Sequence, residues 1–141
     1  MKAFFDTSVL VAAAREADSR HEVSRRLVMQ FAPQEASCAA HTLAELYASL
    51  TGMRPPHRVR PEQAALILDH FRTNLDCIAL TANEVFQTIR QAAALKLPGG
   101  IIYDALLLAC ARKVQAEQIY TWNVKHFQMI APDLAERIVT P

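Results

Sequence analysis

The chain has 141 residues, 52% of them hydrophobic and 21% charged, which excludes a disordered polymer and suits one folded domain spanning residues 1–141. A domain of this length buries roughly two-thirds of its unfolded surface and needs no disulfide or metal staple. Fifteen basic residues against fourteen acidic ones leave a net charge of +1, so bulk charge does not mark a nucleic-acid binder, although a local basic loop can still serve as one.

The first apolar run, Ala3–Phe5, is short and lacks polar alternation, as a buried parallel strand should, and Asp6-Thr7-Ser8 follows it directly. Ser19-x-x-Glu22 has the form of a capping box and predicts a helix start. Ala36–Ala40 predicts a second strand. Thr42-x-x-Glu45 repeats the capping-box form, and Leu43, Leu46, Tyr47 and Leu50 trace one helical face, with Glu45 turned away from it. Arg54-Pro55-Pro56-His57-Arg58-Val59-Arg60-Pro61 reads as the one open loop. Pro61 suits the first turn of a helix running to about Arg72, because its missing N–H costs nothing there. Cys77–Leu80 predicts a third strand, and Thr81-x-x-Glu84 a third capping box. The alanine-rich stretch Ala92–Leu97 is either core or a surface for a partner. Ile101 to Ala111 is apolar nearly all round and predicts a deeply buried helix. Ile119–Trp122 and Arg137–Val139 are the last strand candidates. Strand–helix alternation implies an α/β sandwich with a mainly parallel sheet, whose ligands collect outside the carboxyl ends of the strands.

Four residues meet that rule or lie close to it. Asp6 follows the first strand; it can act there or simply cap the next helix. Glu45 follows the second strand in a helix, where it is either functional or the reciprocal partner of Thr42. Asp104 is the most informative. A carboxylate within Ile101-Ile102-Tyr103-Asp104-Ala105-Leu106-Leu107-Leu108, after Gly99-Gly100, is costly unless paired, used as a cap or bound to a cation. Asn123 closes Thr121-Trp122-Asn123 as either a cap or a site residue. Gathered carboxylates raise one another's pKa unless a cation neutralises them. Oxygen ligands without clustered histidine or cysteine favour Mg²⁺ or Mn²⁺ over zinc. Such an ion provides what phosphodiester cleavage needs, an activated water and neutralised phosphate charge.

Other chemistries leave no trace. There is no GxGxxG or GKS/GKT loop, and no GxSxG elbow. His21, His41, His57, His70 and His126 have no zinc-ligand spacing, and most of them read as surface residues. Cys38, Cys77 and Cys110 sit among apolar neighbours and read as buried reduced thiols. Arg54, Arg58 and Arg60 are solvated loop charges with phosphate contact as a second reading. No signal peptide and no apolar run of roughly 18 residues is evident, so a cytoplasmic location is expected.

Phe4-Phe5-Asp6-Thr7-Ser8-Val9-Leu10, Thr42-Leu43-Ala44-Glu45, Tyr103-Asp104-Ala105-Leu106 and Thr121-Trp122-Asn123-Val124-Lys125-His126-Phe127 occur in this order. With these four segments the chain resembles PIN-domain proteins, in particular VapC-type toxins of toxin–antitoxin pairs, over nearly its whole length. The resemblance implies a three-layer α/β/α sandwich around a central parallel sheet. It implies a metal-dependent endoribonuclease that cleaves structured RNA such as tRNA or rRNA. Asp6, Glu45 and Asp104 would form the metal-binding acidic set, and Asn123 would stand at the fourth site, where some members carry aspartate. Asn123, with Thr7 or Ser8 and Thr121, would position water or phosphate. The implied partners are a second copy in a homodimer and a VapB-type antitoxin whose C-terminal segment lies over the active site.

Two rivals are kept. One is a catalytically degraded PIN-like module that binds RNA or a protein partner, which the intact set of Asp6, Glu45 and Asp104 opposes and the neutral Asn123 leaves open. The other is a phosphohydrolase with Asp6 as nucleophile, which would want aspartate at position 8, where serine stands.

Overall fold

A computed structural model describes all residues, Met1–Pro141. Five parallel strands form one sheet in the order β3-β2-β1-β4-β5: β1 (Ala3–Phe5), β2 (Ala36–Ala39), β3 (Asp76–Ile78), β4 (Gln118–Tyr120) and β5 (Ile138–Val139). Between them run α1 (Thr7–Ala14), α2 (His21–Met29), α3 (Ala40–Thr51), α4 (Pro61–Asn74), α5 (Ala82–Ala94), α6 (Ile101–Lys113) and α7 (Val124–Ile130), followed by a 3-10 turn at Pro132–Arg137.

The pleat of β1 sorts the core into two layers, because successive strand side chains point to opposite faces. Phe4 enters a cluster with Leu107 and Leu108 of α6, Ile119 of β4 and Phe127 of α7. Ala3 and Phe5 enter the other, with Val9 and Leu10 of α1, Leu46 and Leu50 of α3 and Phe71 of α4. Helices therefore cover both faces, giving the expected three-layer α/β/α sandwich. Central β1 is buried on both sides, which is why it reads as an unbroken apolar run.

All five strand candidates are present, the first with the expected bounds and the other four with ends shifted by one or two residues. Pro61 opens α4 as expected, and Thr81 with Glu84 forms a complete capping box on α5. The other two boxes do not form. Helix α2 begins only at His21, and neither Ser19 nor the N-cap residue Arg20 caps it with a side chain. Helix α3 begins at Ala40, so Thr42 lies inside it, fully buried, with its hydroxyl 3.3 Å from that of Thr7. Tyr47 is exposed although its spacing matched the buried face; Thr42 takes the inward place beside Leu46 and Leu50. The Ala92–Leu97 stretch splits, since α5 ends at Ala94 and a positive φ at Lys96 turns Leu97 back onto the core while Leu95 stays exposed.

Cys38 and Cys110 are buried, but Cys77 is exposed on the edge strand β3, directly beside Cys38 in the register. A hydrogen bond from Cys38 lowers the Cys77 thiol to about 7, and the same contact, with burial, pushes Cys38 up.

Because only one of the three capping boxes closes, its contribution can be isolated. Thr81→Ala is expected to cost about 0.5–2 kcal/mol of stability, read as a lower urea midpoint at unchanged m-value.

Candidate active site

The chain runs from β1 outward to β2 and β3, then crosses back to β4 on the other side of β1. This reversal splays the connections apart and leaves a crevice above the carboxyl ends of β1 and β4. Asp6 and Thr121, the first residues beyond those two strands, meet there. The Asp6 N–H extends the ladder to the Tyr120 carbonyl at 3.0 Å. Its side chain is only 4% exposed.

Asp6 occupies the N-cap position of α1 but makes no capping hydrogen bond with its side chain. Its Oδ2 instead accepts from the Ser8 hydroxyl at 2.6 Å and the Thr121 hydroxyl at 2.8 Å. Both donors are themselves held. Ser8 Oγ accepts from the Trp122 N–H at 3.1 Å, and Thr121 Oγ1 from the Asn123 N–H at 3.0 Å. The Trp122 indole N–H reaches buried Ser24 of α2 at 3.0 Å, and Arg20 lies over the ring. Serine 8 and Thr121 thus orient the carboxylate itself, a more specific task than the positioning of water or phosphate expected for them.

Burial raises the Asp6 pKa, the two hydroxyls lower it, and the charge of Asp104 raises it again. Asp104 is brought to the same crevice from α6. Gly99, at φ +59°, makes the left-handed turn that admits the helix, and Gly100 takes the N-cap, leaving Asp104 in the first turn and free of capping duty. Its Oδ2 lies 2.9 Å from His126 Nε2 of α7.

Glu45 is in the second turn of α3, with Oε2 accepting from Thr7 Oγ1 at 3.0 Å and Oε1 lying 3.5 Å from His41 Nε2. Asn123 is exposed at the N-cap position of α7, where its side chain makes no capping bond. The structure therefore brings Asp6 and Asp104 within electrostatic reach. Glu45 is held to one side by Thr7, and no three carboxylate, histidine or cysteine side chains are gathered closely enough to hold one ion. His41 and His126, read from sequence as surface residues, each contact one of the acidic residues. Their signal was present as spacing: His41 stands four before Glu45 on a helix, where side chains share a face. The His126 contact bridges α6 and α7 and has no local signature.

The raised Asp6 pKa sets a pH dependence in metal-free protein. The folded state binds more protons than the unfolded one between the ordinary value of 3.8 and the raised value. Stability from this group is thus complete below that interval and lost as pH rises through it. Asp6→Asn keeps an oxygen for both hydroxyls and removes the ionisation. Thermal melts in EDTA should show the variant more stable than the parent at neutral pH, with the difference closing in acid.

The PIN domain family model matches residues 3–129. Ribonuclease VapC27 of Mycobacterium tuberculosis is 31% identical over 113 residues, covering 79% of this chain and 78% of that protein. Ribonuclease VapC40 of the same species is also 31% identical, over 112 residues, covering 79% and 80%. Among solved structures, M. tuberculosis VapC20, a toxin that cleaves the sarcin–ricin loop, superimposes with a TM-score of 0.70 at 22% identity, over 89% of this chain and 92% of that one. VapBC-1 of nontypeable Haemophilus influenzae gives 0.66 at 21% identity, over 94% of each chain. These two likenesses concern the fold; family membership rests on the match to residues 3–129 and the 31% identity. The chain belongs to the PIN-domain family, within its VapC group.

Proposed function

We propose that the chain is a metal-dependent endoribonuclease, the toxin of a type II toxin–antitoxin pair, which hydrolyses a phosphodiester bond in structured RNA such as tRNA or rRNA. The observation that carries this reading is the pair of carboxylates at the switch point: Asp6, buried, raised in pKa and felt by Asp104. Burial first, and then the charge of Asp104, raises the Asp6 carboxyl, a cost that a cation between the two would relieve, and an all-oxygen donor set fits a hard ion, Mg²⁺ or Mn²⁺. The names of the two 31%-identical relatives support the substrate class.

Asp6 and Asp104 would hold the ion, with Glu45 completing the set directly or through water. When bound, the ion supplies an activated water and offsets charge on the phosphate. The protein's own contribution is aim. Ser8 and Thr121 fix one oxygen of Asp6, and neither hydroxyl occupies the other. His126 fixes one oxygen of Asp104, and Thr7 steadies Glu45. Asn123, uncharged and exposed beside Thr121, is suited to hold water or a phosphate oxygen by hydrogen bonding.

A groove of about 550 Å³ between α1, α2 and α4 is lined by Ala13, Val28, Met29, Leu66, Ile67 and Phe71. Met29 and Leu66 are 61% and 69% exposed there, so an amphipathic segment of a VapB-type antitoxin has an apolar seat to cover. Exposed Phe86 and Ile89 of α5 offer a separate face for a second copy. No helix is long and apolar enough to cross a membrane.

Purified chain incubated with total tRNA and rRNA should yield discrete fragments in Mg²⁺ or Mn²⁺ and none in EDTA. Asp104→Asn should keep the circular dichroism spectrum and lower kcat by about 10²-fold or more; wild-type activity in that variant would remove Asp104 from the site. Metal binding and RNA retention without any cleavage would instead favour a non-enzymatic binding module. His126→Ala should weaken Mn²⁺ affinity about 10- to 100-fold in a calorimetric titration.

A further inference from the structure

Cys38 of β2 and Cys77 of β3 are partners in the parallel register, so their side chains leave the sheet on the same face, one beside the other. Neighbouring strands lie about 4.8 Å apart, within the range of about 4.4–6.8 Å between the Cα atoms of a disulfide. The two thiols differ in what they meet. Cys38 is fully buried, in the layer of Phe5, Leu46 and Phe71, whereas Cys77 is exposed because β3 is an edge of the sheet. The Cys77 sulfur has only a long contact to the Leu75 carbonyl, at 3.8 Å, and the Cys38 thiol beside it. Cys110, the third cysteine, belongs to the opposite layer, where its Sγ donates to the Ile78 carbonyl at 3.5 Å. Neither thiol of the pair touches the carboxylate crevice or is used by the chemistry placed there.

We infer that Cys77 and Cys38 form a redox modification site, in which exposed Cys77 reacts with a hydroperoxide and buried Cys38 then closes a reversible disulfide between β3 and β2. The reacting form of a cysteine is its thiolate. Cys38 donates its hydrogen to the Cys77 sulfur, an effect larger than the partial burial that opposes it, and Arg72 adds to it against Asp76, so the Cys77 thiol falls to about 7. In the first step the Cys77 thiolate attacks one peroxide oxygen. An S–O bond forms, the O–O bond breaks, and the other oxygen departs as alkoxide or, from hydrogen peroxide, as hydroxide. Sulfur gives up two electrons to the peroxide and becomes a sulfenic acid. In the second step the Cys38 sulfur attacks the Cys77 sulfur. An S–S bond forms, the S–O bond breaks, and the departing hydroxide takes the Cys38 proton and leaves as water. The register holds the second sulfur beside the first, so this step competes with further oxidation to sulfinic acid. A disulfide with one sulfur at an exposed edge is open to attack by thiols, which makes the change reversible. The bond fastens the edge strand to β2, which leads straight into α3 and Glu45. The inference does not depend on the ribonuclease reading.

The test treats the reduced, folded full chain with hydrogen peroxide in EDTA at neutral pH, blocks the remaining thiols with N-ethylmaleimide, and maps the peptides by mass spectrometry. Wild type, Cys38→Ser, Cys77→Ser and Cys110→Ser are compared. Wild type and Cys110→Ser should give a Cys38–Cys77 peptide within one chain, lighter by the two hydrogen atoms that one disulfide removes and restored by dithiothreitol. The free Cys77 thiol should disappear at least about 10-fold faster than that of Cys110. Cys38→Ser should form no bridge and should instead yield a Cys77 sulfenic acid trapped by dimedone, far more than wild type does. Cys77→Ser should leave Cys38 unmodified. Wild-type Cys77 that passes to sulfinic acid without a bridge overturns the proposal. So does a bridge that joins Cys77 of two chains, or a Cys77 that survives a peroxide dose sufficient to oxidise free cysteine. A bridge from Cys38 to Cys110 overturns it as well. Should Cys38→Ser fail to fold, the wild-type peptide map decides alone.

Discussion

The site depends on keeping one carboxylate inside the protein. Asp6 sits where two parallel strands end side by side and the chain reverses its direction across the sheet. A charge in such a place is unfavourable unless every available donor is aimed at it. The donors are hydroxyls of Ser8 and Thr121, one from the same turn and one from 115 residues away along the chain. Each hydroxyl is fixed by a backbone N–H of the segment after β4. The crevice therefore exists only when β1 and β4 are paired in register, which ties the formation of the site to completion of the sheet.

Sheet, helices and acidic residues are organised around that point in a consistent order. Strands β2 and β3 extend the sheet on one side of β1, and β4 and β5 on the other. Helix α6, from the opposite layer, delivers Asp104 to the same edge, and α3 delivers Glu45. Each outer acid is accompanied by a histidine and neither histidine by a second acid. The carboxylates are thus held at defined positions by partners that are weaker than a divalent cation, an arrangement that keeps them ordered without neutralising them.

What could be read from the chain, and what could not, divides along physical lines. The strands were legible because each is a short apolar run, and strands buried on both faces have no alternation to obscure. Asp104 stood out because a carboxylate amid apolar residues demands a reason, and Asp6 because it directly follows the first strand. Capping was not: Ser19 and Thr42 have the right spacing, yet packing moved one helix start downstream and the other upstream of them, while Thr81, on the surface, kept the local preference. Tyr47 fitted the periodic face but is displaced from it by Thr42, a small residue whose hydroxyl finds Thr7 across the layer. The roles of Ser8, Thr121, Trp122 and His126 were not legible individually, since each depends on a contact between elements distant in sequence. Cys77 was misjudged for a related reason. Its apolar neighbours resemble those of Cys38, but β3 is an edge strand and one side of it meets solvent.

Every strand of the sheet is short, and the two outermost have only three residues in β3 and two in β5. An edge strand offers unpaired N–H and C=O groups to any passing chain, and a long flat edge invites strand addition and aggregation. Here each edge strand is held by two or three register pairs and ends there. A protein with 52% hydrophobic residues thereby leaves little backbone template at its margins for another strand to extend.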